Sequence, residues 1–427
     1  MTVDVLRRPA AAERRARVAV AVLFFTNGAL FANLLPRYPQ IKADLGIGNA
    51  AYGLAVAAFP AGAVAAGLAA GVAVRRLGSA RAAVAGTLLT GAGILVAGLA
   101  DSVALFAAAL FLAGAMDAIT DVAQNAHGLR VQRRYGRSII NSFHAIWSIG
   151  AVVGGSMAAA AIALGLSLGQ HLAISGVVFA VAACVALRFC LTGPDTGPAE
   201  GDGANPSGPS DLSDLSDLSG SESAPEAVAG RRGERWDGRP APGRRTAYVL
   251  AALVLIATAG TLVEDAGNSW AALYLSGSLS ASVTLAASGY IALVGAQFVG
   301  RIIGDRLVDR FGQRAVARTG GLVVVAGMGL ALAVPTVPGT ILGFAAAGFG
   351  VATLVPAAMH EADELPGLKP GSGLAIVSWL MRLGFLLSPP VVGLVADATS
   401  LRVGLLVVPL AGLLVLLFAG VLRGKRQ

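Results

Sequence analysis

The sequence predicts an all-α membrane protein, with twelve transmembrane helices arranged as two pseudo-symmetric six-helix bundles. Three observations carry that prediction. Of the 427 residues, 56% are hydrophobic and only 13% charged, with a mean hydropathy of +0.72, whereas a water-soluble domain carries roughly 25% charge. The apolar residues fall in runs of about 20, the length a helix needs to cross the hydrocarbon core. A basic stretch joining two of these runs, Gly300 to Arg314, has a degraded copy at Arg75-Arg76-Leu77-Gly78 in the first half. Duplicated helical bundles are the usual build of secondary transporters.

The first expected span, near 17–36, follows an arginine-rich start (Arg7, Arg8, Arg14, Arg15, Arg17). Eleven further spans and the lack of a small-residue cleavage site argue against reading it as a secretory signal. Spans near 49–74 and 79–100 flank the Arg75–Gly78 turn. Those near 102–126 and 138–166 carry most of the buried polar residues. The sixth, near 169–191, holds both cysteines, Cys184 and Cys190, which read as packing residues. The second set falls near 246–275, 281–306, 314–334, 337–362, 371–397 and 401–422. The 56 glycines are embedded in these runs, as suits helices packed backbone to backbone.

Between the halves the composition changes. Residues 192–245 are rich in Gly, Pro, Ser and Asp, with Asp-Leu-Ser repeated from Asp211 to Ser219, followed by a run of arginines. Such a segment buries too little apolar surface to offset its ordering entropy. It reads as a disordered spacer between a bundle at 1–191 and another at 246–427.

Orientation follows from the basic residues. With the N-terminus inside, the external loops hold only Arg37, Lys42 and Arg402, while Arg382 lies within a span. The rest of the 32 Lys and Arg then lie at the cytoplasmic side, as does the C-terminus. This placement also argues against nucleic acid as the partner of the +8 net charge. No G-x-x-x-x-G-K-[ST], H-E-x-x-H or C-x-x-C occurs. Four His and two Cys make a protein-built metal site improbable, and neither a cofactor nor an enzymatic activity is expected.

Ionisable groups within spans are the functional signal, since each costs at least ~2.5–3.5 kcal/mol at the centre of a lipid-facing helix. Span four carries Asp117, Asp121, Gln124 and Asn125 at spacings that share one face. Span five carries Asn141, His144, Trp147 and Ser148. Asp121 and His144 fall at similar depth in adjacent antiparallel helices. They read either as a clamp between helices or as a proton-coupling pair. Asn27 in span one joins the polar candidates for the cavity. Span seven carries Glu264 and Asp265, pointing about 100° apart, then Asn268 and Trp270. A buried carboxylate can load and release a proton near neutral pH, and Glu264 is the preferred proton site; a solvated residue near the outer mouth is the alternative. Arg382 in span eleven sits near the midplane and needs an anionic partner; Trp379 is its neighbour at spacing three. Trp147 and Trp379 serve either to stack on a ligand or simply to pack.

Asp309, Arg310, Gly312 and Arg314 match the D-R-x-G-x-R part of the pattern G-x-x-x-D-R-x-G-x-R, and the stretch resembles the loop signature of the major facilitator superfamily. Asp121-Val-Ala-Gln-Asn-Ala-His-Gly128 and Ser142-Phe-His-Ala-Ile-Trp-Ser-Ile-Gly150 look like one bacterial inner-membrane branch of that superfamily. What the resemblance implies is alternating access by two rocking bundles, often proton-coupled. The span-five antiporter signature G-x-x-x-G-P-x-x-G-G is not met: Gly150 and Gly154 fit, but Gly155 stands at the proline. Arg75 stands where the first-half loop would carry its acid, followed by Arg76 and Gly78. In the family the loop aspartate braces a helix start in the opposite half. By that rule Asp309 would face the start of span five, near Ser138. Arg75, near the start of span eleven, would instead pair with Glu361, Asp363 or Glu364 in a charge-reversed gate; drift of a weak motif copy is the alternative.

The function this predicts is a monomeric, proton-coupled transporter of a small polar or amphipathic solute in a bacterial inner membrane, with both termini cytoplasmic. Efflux of a hydrophobic drug or secondary metabolite is the alternative, and a membrane-embedded sensor or scaffold the alternative from another class.

Overall fold

The computed structural model describes residues 10–135, 139–193, 243–368 and 372–424, without the side chains of Leu68 and Asn141. The proposed spacer lies almost wholly outside these residues. Twelve helices are long and apolar enough to span a membrane: α1 (Ala11–Asp44), α2 (Asn49–Gly67), α3 (Ser79–Gly98), α4 (Val103–Tyr135), α5 (Ser142–Ala163), α6 (Leu168–Leu187), α7 (Arg244–Ser278), α8 (Val283–Phe311), α9 (Gln313–Ala333), α10 (Val337–Asp363), α11 (Ser372–Ala398) and α12 (Leu401–Val421). Among the described residues there is no strand.

Helix ends are set by local chemistry. Ser167, Ser282, Thr336 and Ser400 cap the N-termini of α6, α8, α10 and α12 with their hydroxyl oxygens, which satisfies amides that would otherwise lack partners. Arg37, expected in an external loop, is instead buried at the end of α1 and donates to Gln40 and to the Leu166 carbonyl ahead of α6. The signature stretch is not a loop either. Helix α8 runs through Asp309 and Arg310 to Phe311, and the whole turn into α9 is Gly312 at φ 83°. Hydropathy stops at the edge of the apolar run, but a helix continues until a residue ends it, here a glycine in a conformation that side chains rarely adopt.

The duplication is visible in the packing. Gly312 lies 234 positions after Gly78, which at φ 81° ends the helix Ala58–Leu77, the continuation of α2, and leads into α3. At the same interval, Gly114 lies against the Phe59 carbonyl and Gly348 against the Leu293 carbonyl. In each half the fourth helix therefore crosses the second at a glycine, with no room for a Cβ.

The described hydrogen bonds that join the two halves lie at one end. At the face carrying the α1–α2 turn and the end of α11, the Asp397 carboxylate accepts from the amides of Asn49 (2.9 Å) and Ala50 (2.8 Å) and from Asn49 Nδ2 (2.8 Å). Just inside, Tyr52 of α2 donates to the Ser269 carbonyl of α7 at 2.8 Å, and its ring meets Trp270 edge-on, 5.0 Å between centroids. Gly53 lies against the Pro389 carbonyl and Gly155 against the Tyr290 ring. At the opposite face, that of Gly78 and Gly312, no hydrogen bond or ion pair joins the halves among the described residues. By these bonds the molecule is closed at the Asp397 face, whereas at the Gly78/Gly312 face, the parted face, the described residues supply none.

Candidate functional site

Helices α1, α4 and α5 bring the first-half candidates together, and glycines allow it. Gly28 lies against the Trp147 carbonyl, Gly150 against the Phe25 carbonyl and Gly154 against that of Ala29, so α1 and α5 touch backbone to backbone. Asn27, almost fully buried, becomes the hub. It donates to Asp117 Oδ1 at 2.6 Å and accepts from Trp147 Nε1 at 2.8 Å and Gln124 Nε2 at 3.4 Å. One turn along α4, Asp121 accepts from Asn125 Nδ2 at 3.0 Å and Gln124 Nε2 at 3.4 Å. The face expected of α4 is thus real, and amides occupy both carboxylates.

The expected Asp121–His144 pair is not a hydrogen bond among the described residues. His144 is exposed, with its ring edge-on to Phe24 at 5.2 Å. It lies within electrostatic reach of Asp121 and of Arg301 on α8, and Asp121 within reach of Arg382. The side chain of Asn141 lies outside the described residues. Ser148 turns back on its own helix and donates to the His144 carbonyl.

In the second half the adjacent acids of α7 go separate ways. Glu264 accepts from Gln297 Nε2 at 2.8 Å and lies 3.8 Å from Arg301. Asp265 is buried toward the closed face, beside Ser269 and Ser388. Asn268 is partly exposed, with its Oδ1 buried and unpartnered. Trp270, a cavity candidate from sequence, is fully buried in the seal against Tyr52. Arg382 begins the outer segment of α11, which breaks at Met381, where the Thr261 hydroxyl takes the free carbonyl at 2.8 Å. Its guanidinium lies close to Gly67 of α2. Trp379 is half exposed. The space between the halves is therefore bordered by acids and amides from α1 and α4 and by Arg301, Arg382 and Glu264 from the second half.

At the parted face, Arg75 and Arg76 are exposed and, like Asp309, make no ion pair among the described residues. Glu361 and Glu364 are held by Arg423, which lies 3.2 Å from Glu361 and contacts Glu364; Asp363 is exposed. Arg314 donates to the Leu422 carbonyl at 2.9 Å. Two of the three expected partners of Arg75, Glu361 and Glu364, are thus engaged by Arg423 instead.

Sequence reasoning missed Gln297, Arg301, Tyr52 and Asp397. Arg301 carried a signal, since it lies three helical turns inside α8 from Gly312. Asp397 carried none, being one exposed acid at the end of a span.

The model of the Major Facilitator Superfamily matches residues 20–306 and 250–427. The chain is 28% identical over 404 residues to the uncharacterized transporter y4wD of Sinorhizobium fredii, covering 95% of this chain and 97% of that protein. It is 26% identical over 396 residues to an uncharacterized MFS-type transporter of Yersinia pestis, covering 91% and 90%. A shorter match, 36% identical over 156 residues, is to the membrane protein MosC of Rhizobium meliloti, over 36% of this chain and 38% of that protein. Among solved structures the fold resembles the nucleoside transporter NupG (TM-score 0.68, 12% identity, 96% of this chain and 99% of that one). It also resembles a bacterial homologue of the human lysosomal transporter Spinster, solved inward-facing and unoccupied (TM-score 0.70, 12% identity, 96% and 98%). With two duplicated six-helix bundles, one closed face and a charged space between them, this chain belongs to the Major Facilitator Superfamily and is a transporter, not an enzyme.

Proposed function

We propose that the protein moves a small polar or amphipathic solute across a bacterial inner membrane by alternating access, driven by protons. The observation that carries the reading is that bonds between the halves are confined to one face while ionisable side chains border the parted space. Rocking the halves about that space would exchange the closed face for the open one. The arginines favour placing both termini in the cytoplasm, which makes this conformation the inward-open one. Asn27, Gln124, Asn125 and Arg382 are the proposed solute contacts. Asp117, Asp121, His144 and Glu264 are the proposed groups through which protons couple. The two six-helix units, joined by the segment at 192–245, are the proposed moving bodies.

Comparing metabolites in cells with and without the protein would nominate solutes. Uptake of each nominee is then followed in liposomes with an imposed pH gradient. Flux that follows the gradient and falls at least about tenfold in Asp121→Asn is expected. Flux indifferent to gradients of every ion would overturn coupled transport.

A further inference from the structure

The start of α1 carries three arginines that point in two directions. Arg17 turns inward: its Nη1 donates to the Tyr135 hydroxyl at 3.2 Å, and its guanidinium lies 5.2 Å from the centre of that ring at the end of α4. Arg14 and Arg15 are exposed and stand at the mouth of a groove between α1 and α6. The guanidinium of Arg15 makes no hydrogen bond or ion pair among the described residues. Packing within the bundle accounts for Arg17 and leaves the placing of Arg15 to be explained.

Small residues make the groove. Ala19 of α1 and Ala186 of α6 form its floor, both almost fully buried, while Val18, Val185 and Phe189 stand exposed on its walls. Exposed apolar side chains on spanning helices face hydrocarbon, so the groove opens to the bilayer. Its volume is about 740 Å³, within the roughly 300–1,000 Å³ of sites that hold a ligand. One wall descends from Arg15 to Val22 and the other from Phe189 to Ala182, a depth of about 10 Å on each helix. The residues 234 positions after Arg14, Arg15 and Ala19 are Tyr248, Val249 and Leu253, and Leu253 is fully buried. At these positions the first half has two charges and a hollow, and the second half has bulk and no charge.

Charged at its mouth and apolar below, the groove repeats the polarity of one lipid leaflet read from headgroup to chain. Arginines at a membrane surface attract anionic headgroups, and a guanidinium offers a phosphate paired donors. No acid lines the groove; the neighbouring Glu13 accepts from the Ala10 amide at the helix start. We infer that the groove between α1 and α6 is a binding site for an anionic phospholipid, with its phosphate at Arg14 and Arg15 and an acyl chain on Ala19 and Ala186. Both walls belong to the first half, so the lipid travels with that bundle whichever face is shut. The site is separate from the space between the halves and requires nothing of the solute or of protons.

Native mass spectrometry of the full chain in detergent counts bound lipid directly. Phosphatidylglycerol and phosphatidylcholine with the same chains are titrated in turn, and the native chain should retain one phosphatidylglycerol at the lower concentration. Arg14→Gln with Arg15→Gln should weaken that binding about thirtyfold, and either change alone about fivefold. Arg14→Lys with Arg15→Lys should restore most of it, which separates lost charge from lost fold. Arg133→Gln with Arg134→Gln takes the same charge from the exposed end of α4 and should change nothing. Ala182→Trp fills the groove from its α6 wall, keeps both arginines and should lose the bound lipid. Equal retention of the two lipids, an equal loss in the α4 control, or binding that survives Ala182→Trp would overturn the site. So would binding that begins only when residues 2–9 are deleted, because the chain's own start would then fill the groove. Lipid found only on dimers would overturn it too, making the groove an interface between copies.

Discussion

The ends of the sixth and twelfth helices are secured by opposite charges. In the first half His127 and Arg130 of α4 hold the end of α6. His127 Nε2 accepts from the Leu191 amide at 3.2 Å, and Arg130 donates to the carbonyls of Leu191 and Thr192. The residues 234 positions on are Glu361 and Glu364. In the second half these grip Arg423, just past α12, while Arg314 takes the Leu422 carbonyl. A helix C-terminus presents carbonyls and favours a cation. The first half supplies one from α4. The second supplies one from α9 and adds acids that hold the arginine beyond. In both, the described bonds stay within one half, whereas those of Asp397 and Tyr52 at the other face cross between halves. The difference teaches a division of labour: bonds within a half keep a bundle rigid, and bonds between halves decide which face is shut.

Two glycines break that comparison most sharply. A side chain at Gly114 would collide with the Phe59 carbonyl inside the first half, and one at Gly53 with the Pro389 carbonyl of the other half. Gly114→Leu should cost about 1–3 kcal/mol or more of fold stability, seen as lost monodisperse protein in detergent. Gly53→Leu should leave the fold intact and force the closed face apart. The shift should be about 5–150-fold, read as faster labelling of a cysteine at Ala51. Equal loss of folded protein in both variants would dissolve the distinction.

Much of the fold was legible because membrane spans are long and their chemistry is one-dimensional. The face of α4 with Asp117, Asp121 and Gln124 was legible too, since helical periodicity fixes it. What periodicity cannot give is which neighbour a face meets. It separated Glu264 from Asp265 by about 100° but could not say that one meets Arg301 and the other the seam of Tyr38 and Tyr52. Trp270 has the same sequence signature as a cavity residue and is buried in the closed face. Asp397 finds its partners 348 residues away, at a helix N-terminus whose position only the assembled halves define.

Asp397 sharpens the comparison at smaller scale. It caps α2 across the interface, and a lost N-cap costs about 1 kcal/mol; Asp397 is exposed, so water compensates part of that. Asp397→Ala should therefore move the equilibrium about fivefold toward opening of its face, with thermal stability little changed. Asp309, read as bracing the opposite face when that face is shut, makes no such bond among the described residues, outside which its expected partner Ser138 lies. Asp309→Ala should move the same equilibrium the other way, and distances between spin labels at both faces would report both shifts. Shifts of the same sign would mean that the two acids do not serve opposing faces.

Glu361 carries the smallest expected effect and the strictest test. Its side chain is 8% exposed and its partner Arg423 is 47% exposed, 3.2 Å away, so solvent screening limits the pair to about 0.5–1 kcal/mol. Glu361 also accepts the Arg423 amide at 3.0 Å, a bond that a glutamine carbonyl keeps and an alanine loses. Glu361→Gln should then cost about 0.5–1 kcal/mol of unfolding free energy. Glu361→Ala should cost about 1 kcal/mol more, because the amide is left without its acceptor. Neither should change the labelling of Ala51→Cys by more than about twofold, which corresponds to less than 0.5 kcal/mol. The same holds for Arg130→Ala on the other half, whose described bonds to Leu191 and Thr192 stay within that half. Were Glu361→Gln to shift the labelling while leaving denaturation unchanged, the acids of α10 would belong to a gate between halves, and charge reversal at this face would be a switch instead of a second way to tie off a helix.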